Sequence, residues 1–272
     1  MSTICRTLEV SRSNLYTQLP KNENSKRRRK SNPDKDSFLL KPIKEILKER
    51  PTYGYRRITI ILKKKLGMAI NHKKTYRIMK ENQLLLQRYA PKPLRVHDGK
   101  IITLKSNLRW CSDIFAIQCW NGDRISVAFA QDCHDREIIS WIASSKGIDG
   151  AMIRDLMTES LENRFGKASK VPHPLQWLSD NGPQYIARET VHFGRLLGLE
   201  ICTTAPYSPE SNGMAEAFVK TFKRDYAAFG DLGSAQKVIE QLPLWFEDYN
   251  EKAPHKGLKM LSPREYRRQL AP

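Results

Sequence analysis

Apolar residues recur at helical spacing through the first third of the chain and in short strand-length runs beyond it. Over residues 38–50, Leu39, Leu40, Ile43, Ile46 and Leu47 stand three and four apart, which predicts an amphipathic helix. YGYRRITIILKKKL, residues 53–66, predicts a second helix closed by Gly67. Asn71 then caps a third, HKKTYRIMKENQLL, whose Tyr76, Ile78, Met79 and Leu84 are available for packing. From residue 109 the pattern changes. RWCSDIFAIQCW reads as a strand, Asn121-Gly122-Asp123 as a turn, and RISVAFAQD and EIISWIAS as two more strands of an antiparallel meander. A helix near Asp149 to Asn163 comes next, then a short strand LQWLSD. A helix near Arg188 to Leu197, a strand LEICTT and a long helix from about Asn212 to Ala228 complete the series. The order βββαβαβα predicts an α/β domain, a mixed sheet with helices on its faces.

Charge divides the chain in the same way. Residues 1–110 carry 28 Lys and Arg against 8 Asp and Glu; residues 111–272 carry 19 against 21. Nearly all of the net +18 therefore lies in the helical part. A basic module joined to a neutral one predicts a polyanion-binding unit, and nucleic acid is the commonest polyanion because neutralised phosphates release counterions. Three short helices with Lys73, Lys74 and Arg77 on the last form a helix-turn-helix pattern whose third helix enters the major groove. Residues 2–17 read as part of another helix-turn-helix. Residues 21–37, with the run KRRRK, read as a basic linker, and residues 88–105, with Pro91 and Pro93, as a second linker. The expected units are residues 1–20, the linker 21–37, a DNA-binding domain 38–97, a core 104–230 and a helical tail 231–272. No apolar run approaches the ~20 residues that cross a bilayer, and the N-terminus lacks the apolar core of a secretory signal. No membrane role and a cytoplasmic location are expected. The five cysteines include no C-x-x-C pair and read as reduced, mostly core thiols.

Three acids stand out by position. Asp113 lies inside an apolar strand, where a carboxylate is costly unless paired or metal-bound. Asp180 ends a strand before the turn Asn181-Gly182, where α/β domains place their sites. Glu216 lies one turn into a helix, with Lys220 and Lys223 four and seven residues on. Each has a bland reading: a strand-edge acid, a turn cap, and an i,i+4 salt bridge with Lys220. Together, two strand acids and one on the following helix can converge on one point. An all-carboxylate set suits hard ions such as Mg²⁺ or Mn²⁺.

WCSDIF, LSDNGPQY and SPESNGMAEAFVKTFKRD resemble the three signature blocks of the retroviral-integrase superfamily. The 35 positions between Asp180 and Glu216 match its DD35E spacing. Lys223, seven residues after the glutamate, matches a basic residue common in these transposases. PTYGYRRI, TYRIMKEN and the late YNEKAPHKGL…SPREY are similar to second-frame (OrfB) insertion-sequence transposases, a likeness running from about residue 40 to the C-terminus. It implies an RNase-H-like integrase core and a DDE polynucleotidyl transferase. Asp113, Asp180 and Glu216 would be its catalytic and metal-holding residues, with Asp113 between two Mg²⁺ ions that Mn²⁺ can replace. Such an enzyme frees a 3′-OH at the element's end and joins it to another phosphodiester. Its partners would be double-stranded DNA, a second copy of the chain, and an upstream-frame protein fused to it. Gly182 would permit a tight backbone turn and Asn181 would orient a carboxylate from behind, and Asn212 would start the catalytic helix beside a phosphate. Lys220 and Lys223 would contact the DNA backbone, and Tyr207, Ser208 and Pro209 would form a loop that orders on DNA. Trp110, Trp141, Trp177 and Trp245 read as core residues. His255 reads as a fold or DNA-contact residue rather than a base. The competing functions are an RNase-H-like nuclease that cuts without joining, a catalytically silent DNA-binding regulator, and a nucleoid structural protein.

Overall fold

The computed structural model describes residues 7, 34–87, 103–167, 169–204 and 212–270. The expected helix-turn-helix fragment 2–17, both linkers and the loop Tyr207-Ser208-Pro209 fall wholly or largely outside them. The chain divides into two units, residues 1–41 and 42–272. In the first, a 3-10 turn spans Asp34–Leu39. The sheet and the helices around it belong to the second.

The three expected helices form as α1 (Leu40–Glu49), α2 (Tyr55–Leu66) and α3 (His72–Glu81). Their apolar stripes, Ile43 and Ile46, Ile58 and Leu62, Ile78 and Met79, are all buried. Gly67 closes α2 at φ 62°, a left-handed turn that glycine makes without a Cβ penalty. Asn71 Oδ1 accepts the Lys73 N–H at 2.9 Å and caps α3. This helix ends four residues before the expected Leu85. The Asn82 side chain folds back onto the Ile78 carbonyl, and Gln83 turns at φ 56°.

The sheet has the order β3-β2-β1-β4-β5, with β1 Arg109–Gln118, β2 Arg124–Asp132, β3 Ile138–Ser144, β4 Leu175–Ser179 and β5 Leu199–Thr203. The first three strands form the expected antiparallel meander; β4 adds to β1 and β5 to β4 in parallel. Parallel strands need crossovers, supplied by α4 (Gly150–Phe165) and by α5 (Pro183–Ile186) with α6 (Arg188–Leu196). Asp149 caps α4 by accepting the Met152 N–H at 2.8 Å. The one-turn helix α5 was not expected from the pattern; Pro183 at its first position presets the backbone.

Alternation along β1 sorts the two faces. Trp110 and Ile114 join α4, Trp177 and Tyr185 in one apolar cluster. Cys111, Phe115 and Ile117 join the other, against α7 (Gly213–Asp225) and α8 (Ala235–Glu251). Helix α7 ends at Asp225, and a 3-10 turn over Ala227–Phe229 completes the long helix expected to reach Ala228. Helix α8 lies in the segment expected as a C-terminal tail. Val238, Leu242, Phe246 and Tyr249 are nonetheless buried in this same cluster. The Asn250 amide makes a two-way bridge with Ile138 of β3, both bonds 2.9 Å. The four named tryptophans pack as expected: Trp110 and Trp177 are fully buried, Trp141 stacks on Phe246 at 4.8 Å, and Trp245 meets Phe222 edge-on. A last helix, α9, spans Pro263–Leu270.

At the other end of the sheet, Arg164 is sealed between Asp135 at 3.0 Å and Glu137 at 3.4 Å, all three side chains 6% exposed or less. Arg264 and Arg267 of α9 reach the same Glu137. A charge so buried persists only with its partners in place.

Candidate active site

The placement of the three acids follows from strand register. β1 and β4 pair Trp110 with Trp177 and Cys111 with Leu178. Beyond these pairs β1 runs on to Asp113, while β4 ends at Ser179 and leads directly into Asp180. Within β1, residues two apart share a face, so Asp113 follows Cys111 onto the face covered by α7. Glu216 stands in the first turn of that helix. The start of α7 is fixed to β1, because the buried Asn212 donates from Nδ2 to the Ser112 carbonyl at 3.2 Å.

Asp113 registers its neighbours electrostatically. Its carboxyl is pushed up to about 6, first by burial, with the charges of Asp180 and Glu216 acting in the same direction. The Ile114 N–H, 2.8 Å from Oδ1, and the Lys223 ammonium pull the other way. Lys223 Nζ lies 5.9 Å from the Phe115 ring centroid, which places it over this face of β1. As placed, no three His, Cys, Asp or Glu side chains among the described residues stand at ligating separation. Glu216 is drawn along its own helix to Lys220 at 3.2 Å, the bland i,i+4 pairing. The donor set still fits a hard cation: it is all carboxylate, and one member carries an electrostatic penalty that a dication between them would relieve.

The supporting residues differ in detail from expectation. The carboxylate is held by Gly182, not Asn181: the Gly182 N–H donates to Asp180 Oδ1 at 3.0 Å. Its φ of −59° is ordinary, so the turn does not require glycine. The reason is space, since a Cβ there would stand 3.0 Å from the same oxygen. Asn181 does not reach a carboxylate; its amide donates to the Thr204 carbonyl at 3.1 Å and ties β4's end to β5's. Asn212 likewise is turned to strand β1 and buried. Sequence reasoning missed Tyr185, fully buried, whose hydroxyl meets Ser112 Oγ at 2.7 Å directly beneath Asp113. The only signal for it was a tyrosine at the end of LSDNGPQY.

The basic candidates fall in two places. Lys220 and Lys223 lie on α7 beside the acids. Lys73, Lys74 and Arg77 lie on α3; Lys73 is exposed, and Arg77 lies 3.7 Å from Glu81. His255 is buried against Tyr249 at 4.9 Å, and burial with the charges of Arg57 and Arg136 pushes its imidazole down to about 3. It is a neutral fold residue.

A family model described as an integrase core domain matches residues 104–209, and a second of the same description matches residues 197–263. One described as an HTH-like domain matches residues 33–92. The chain is 44% identical over 278 residues to transposase InsD for insertion element IS2A/D/F/H/I/K of Escherichia coli, covering 100% of this chain and 92% of the relative. It is equally similar to transposase InsD for insertion element IS2-9 of Escherichia coli strain K12, covering 90% of that protein. Among solved structures, a chain of the simian T-cell lymphotropic virus intasome in complex with PP2A regulatory subunit B56 gamma shares the fold. Its TM-score is 0.53 at 16% identity, over 83% of this chain and 73% of that one. Among the described residues, no helix is long and apolar enough to cross a membrane.

Proposed function

The chain belongs to the insertion-element transposases built on an integrase core, and from that membership we propose that it cuts the ends of its element and joins the freed 3′-OH to another DNA phosphodiester. Asp113, Asp180 and Glu216 would hold two Mg²⁺ ions, with Mn²⁺ as a substitute. When bound, the ions supply Lewis acidity on both sides of an in-line displacement. The chain's own residues do the rest. The Ile114 and Gly182 N–H groups each fix one carboxylate oxygen, so the acids present their remaining oxygens to the site. Asn212 keeps the first turn of α7, and with it Glu216, against β1. Lys220 exchanges Glu216 for a phosphate oxygen of the DNA, and Lys223 offsets negative charge on the buried side. Tyr185 and Ser112 seal the floor.

Lys73, Lys74 and Arg77 hold double-stranded DNA from the helix-turn-helix segment 38–97, with the core beginning at 104. At least two copies of the chain act on the paired ends, which an upstream-frame fusion would help recognise. The reaction takes place in the cytoplasm, where bacterial DNA lies.

The observation that supports the reading is the parallel pairing of β1, which carries Asp113, with β4, which leads into Asp180, while Asn212 holds the start of the Glu216 helix against β1. The test is a labelled element-end duplex with Mn²⁺, scored for nicked and joined products. Asp180→Asn should abolish both while DNA affinity is kept, because it removes a ligand charge without touching Lys73, Lys74 or Arg77. Normal cutting by that variant would end the assignment. A nuclease of the same fold would nick but fail to join a pre-cut end.

A further inference from the structure

Two sequence blocks, PTYGYRRI and YNEKAPHKGL…SPREY, take no part in the proposed chemistry. The first meets the far end of the catalytic helix, and the second meets the helix-turn-helix segment at α2. Asp225, the last residue of α7, is 9% exposed. It accepts hydrogen bonds from Thr52 Oγ at 2.6 Å and Arg57 Nη1 at 2.9 Å, both from the first block. Its neighbour Arg224 closes the other side at 2.6 and 2.7 Å. Tyr53 is buried beneath two guanidinium groups, Arg57 at 4.9 Å and Arg50 at 5.7 Å from its ring centroid. Arg50 also pairs with Asp248 of α8, which accepts the Tyr226 hydroxyl at 2.9 Å. From the second block, Glu265 of α9 accepts Lys64 Nζ of α2 at 2.7 Å and the Ser262 N–H at 3.0 Å.

We propose that these blocks form an internal dock, in which Arg57 and Asp225 are positioning residues that lock the helix-turn-helix segment to the C-terminal end of the catalytic helix. Arg57 then belongs to the protein rather than to DNA, although it lies in the most basic part of the chain. Asp225 is nine residues from Glu216, about 13.5 Å along one rigid helix. A segment that reads DNA and a helix that carries a site carboxylate are thereby held in one frame. The dock sets which phosphodiester meets the acids. The proposal rests on Glu216 serving the site and on the helical segment holding DNA.

The test has a reading that needs neither metal nor DNA. Carbodiimide treatment of the full chain joins amines to carboxylates already in contact, so a Lys64–Glu265 cross-linked peptide should appear by mass spectrometry. Arg57→Ala and Asp225→Asn should each reduce its yield about tenfold, since both strip a partner from a buried ion pair. Affinity for an element-end duplex should change by less than about threefold. Metal-dependent cutting should fall about a hundredfold, as a misplacement of order 1 Å predicts, with nicks spread to neighbouring phosphodiesters. Arg57→Lys should recover part of both. If these variants do not fold, the exposed pair serves: Glu265→Lys should scatter the nicks, and Lys64→Glu combined with it should restore the register. An intact cross-link in Arg57→Ala, or a loss of DNA affinity in proportion to cutting, would overturn the dock. A wild-type chain that never cuts, but whose cross-link depends on Arg57, would support the dock and defeat the proposed transposase reaction.

Discussion

Replacing Asp113 by asparagine removes a charge that the metal-free fold holds at a cost. The carboxyl is raised from 3.8 to about 6, by burial first and with the Asp180 and Glu216 charges adding to it. A rise of that size corresponds to about 3 kcal/mol against the ionised form. Asp113 is only partly buried, and solvent screening reduces this to about 1–2 kcal/mol. Asparagine keeps an oxygen to accept the Ile114 N–H, so little is lost in exchange. The sign follows from proton counts. Below about pH 4 the group is protonated folded and unfolded alike, and the penalty is absent. Between about 4 and 6 the unfolded chain ionises first, so wild-type stability falls as pH rises; above about 6 the penalty is complete. At pH 7.5 in chelator, Asp113→Asn should therefore melt about 2–8 °C above wild type by scanning fluorimetry, at about 2–4 °C per kcal/mol for a chain of this size. At pH 4 the two should coincide. Added Mg²⁺ should raise the wild-type midpoint and leave the variant's unchanged, because the proposed metal site needs all three carboxylates. A variant that melts at or below wild type at pH 7.5 would refute the argument that the three acids crowd one another.

Gly182→Ala should fold normally, because the φ of −59° suits alanine, but its methyl would stand 3.0 Å from Asp180 Oδ1. Cutting should drop about tenfold or more with the melting point nearly unchanged; full activity would show that the Asp180 carboxylate need not be held there. Arg164→Met should cost about 3–5 kcal/mol in a urea melt, since Asp135 and Glu137 are left buried without their shared cation. A loss under about 1 kcal/mol would mean that Arg264 and Arg267 suffice to hold the cluster.

Much of the local structure could be read along the chain because its causes are local. RISVAFAQD is strand β2 residue for residue, Gly67 ends α2 where no side chain would sit easily, and Asn71 caps α3. The helix expected near Asp149 begins where an aspartate can accept the N–H of its third residue, Met152. The end of α3 was misjudged because the hydrophobic pattern runs on through Leu84 and Leu85, while the Asn82-Gln83 turn wins. The membership of α8 in the core was also open to reading, since Val238, Leu242, Phe246 and Tyr249 recur at helical spacing.

Taken alone, the sequence determined which residues have carboxylates to offer, their order, and the strands and helices that carry them. These depend on neighbours a few positions away and on the periods of 2 and 3.6 residues. Only the tertiary structure decided that β4, which leads into Asp180, pairs with β1, which carries Asp113, that Asn212 binds the Ser112 carbonyl, and that Arg57 turns its charge to Asp225. Each of these joins residues 67 to 168 positions apart, and no local rule says which distant partner a buried donor or carboxylate will find. The choice is made when the whole core closes and every buried charge must be matched.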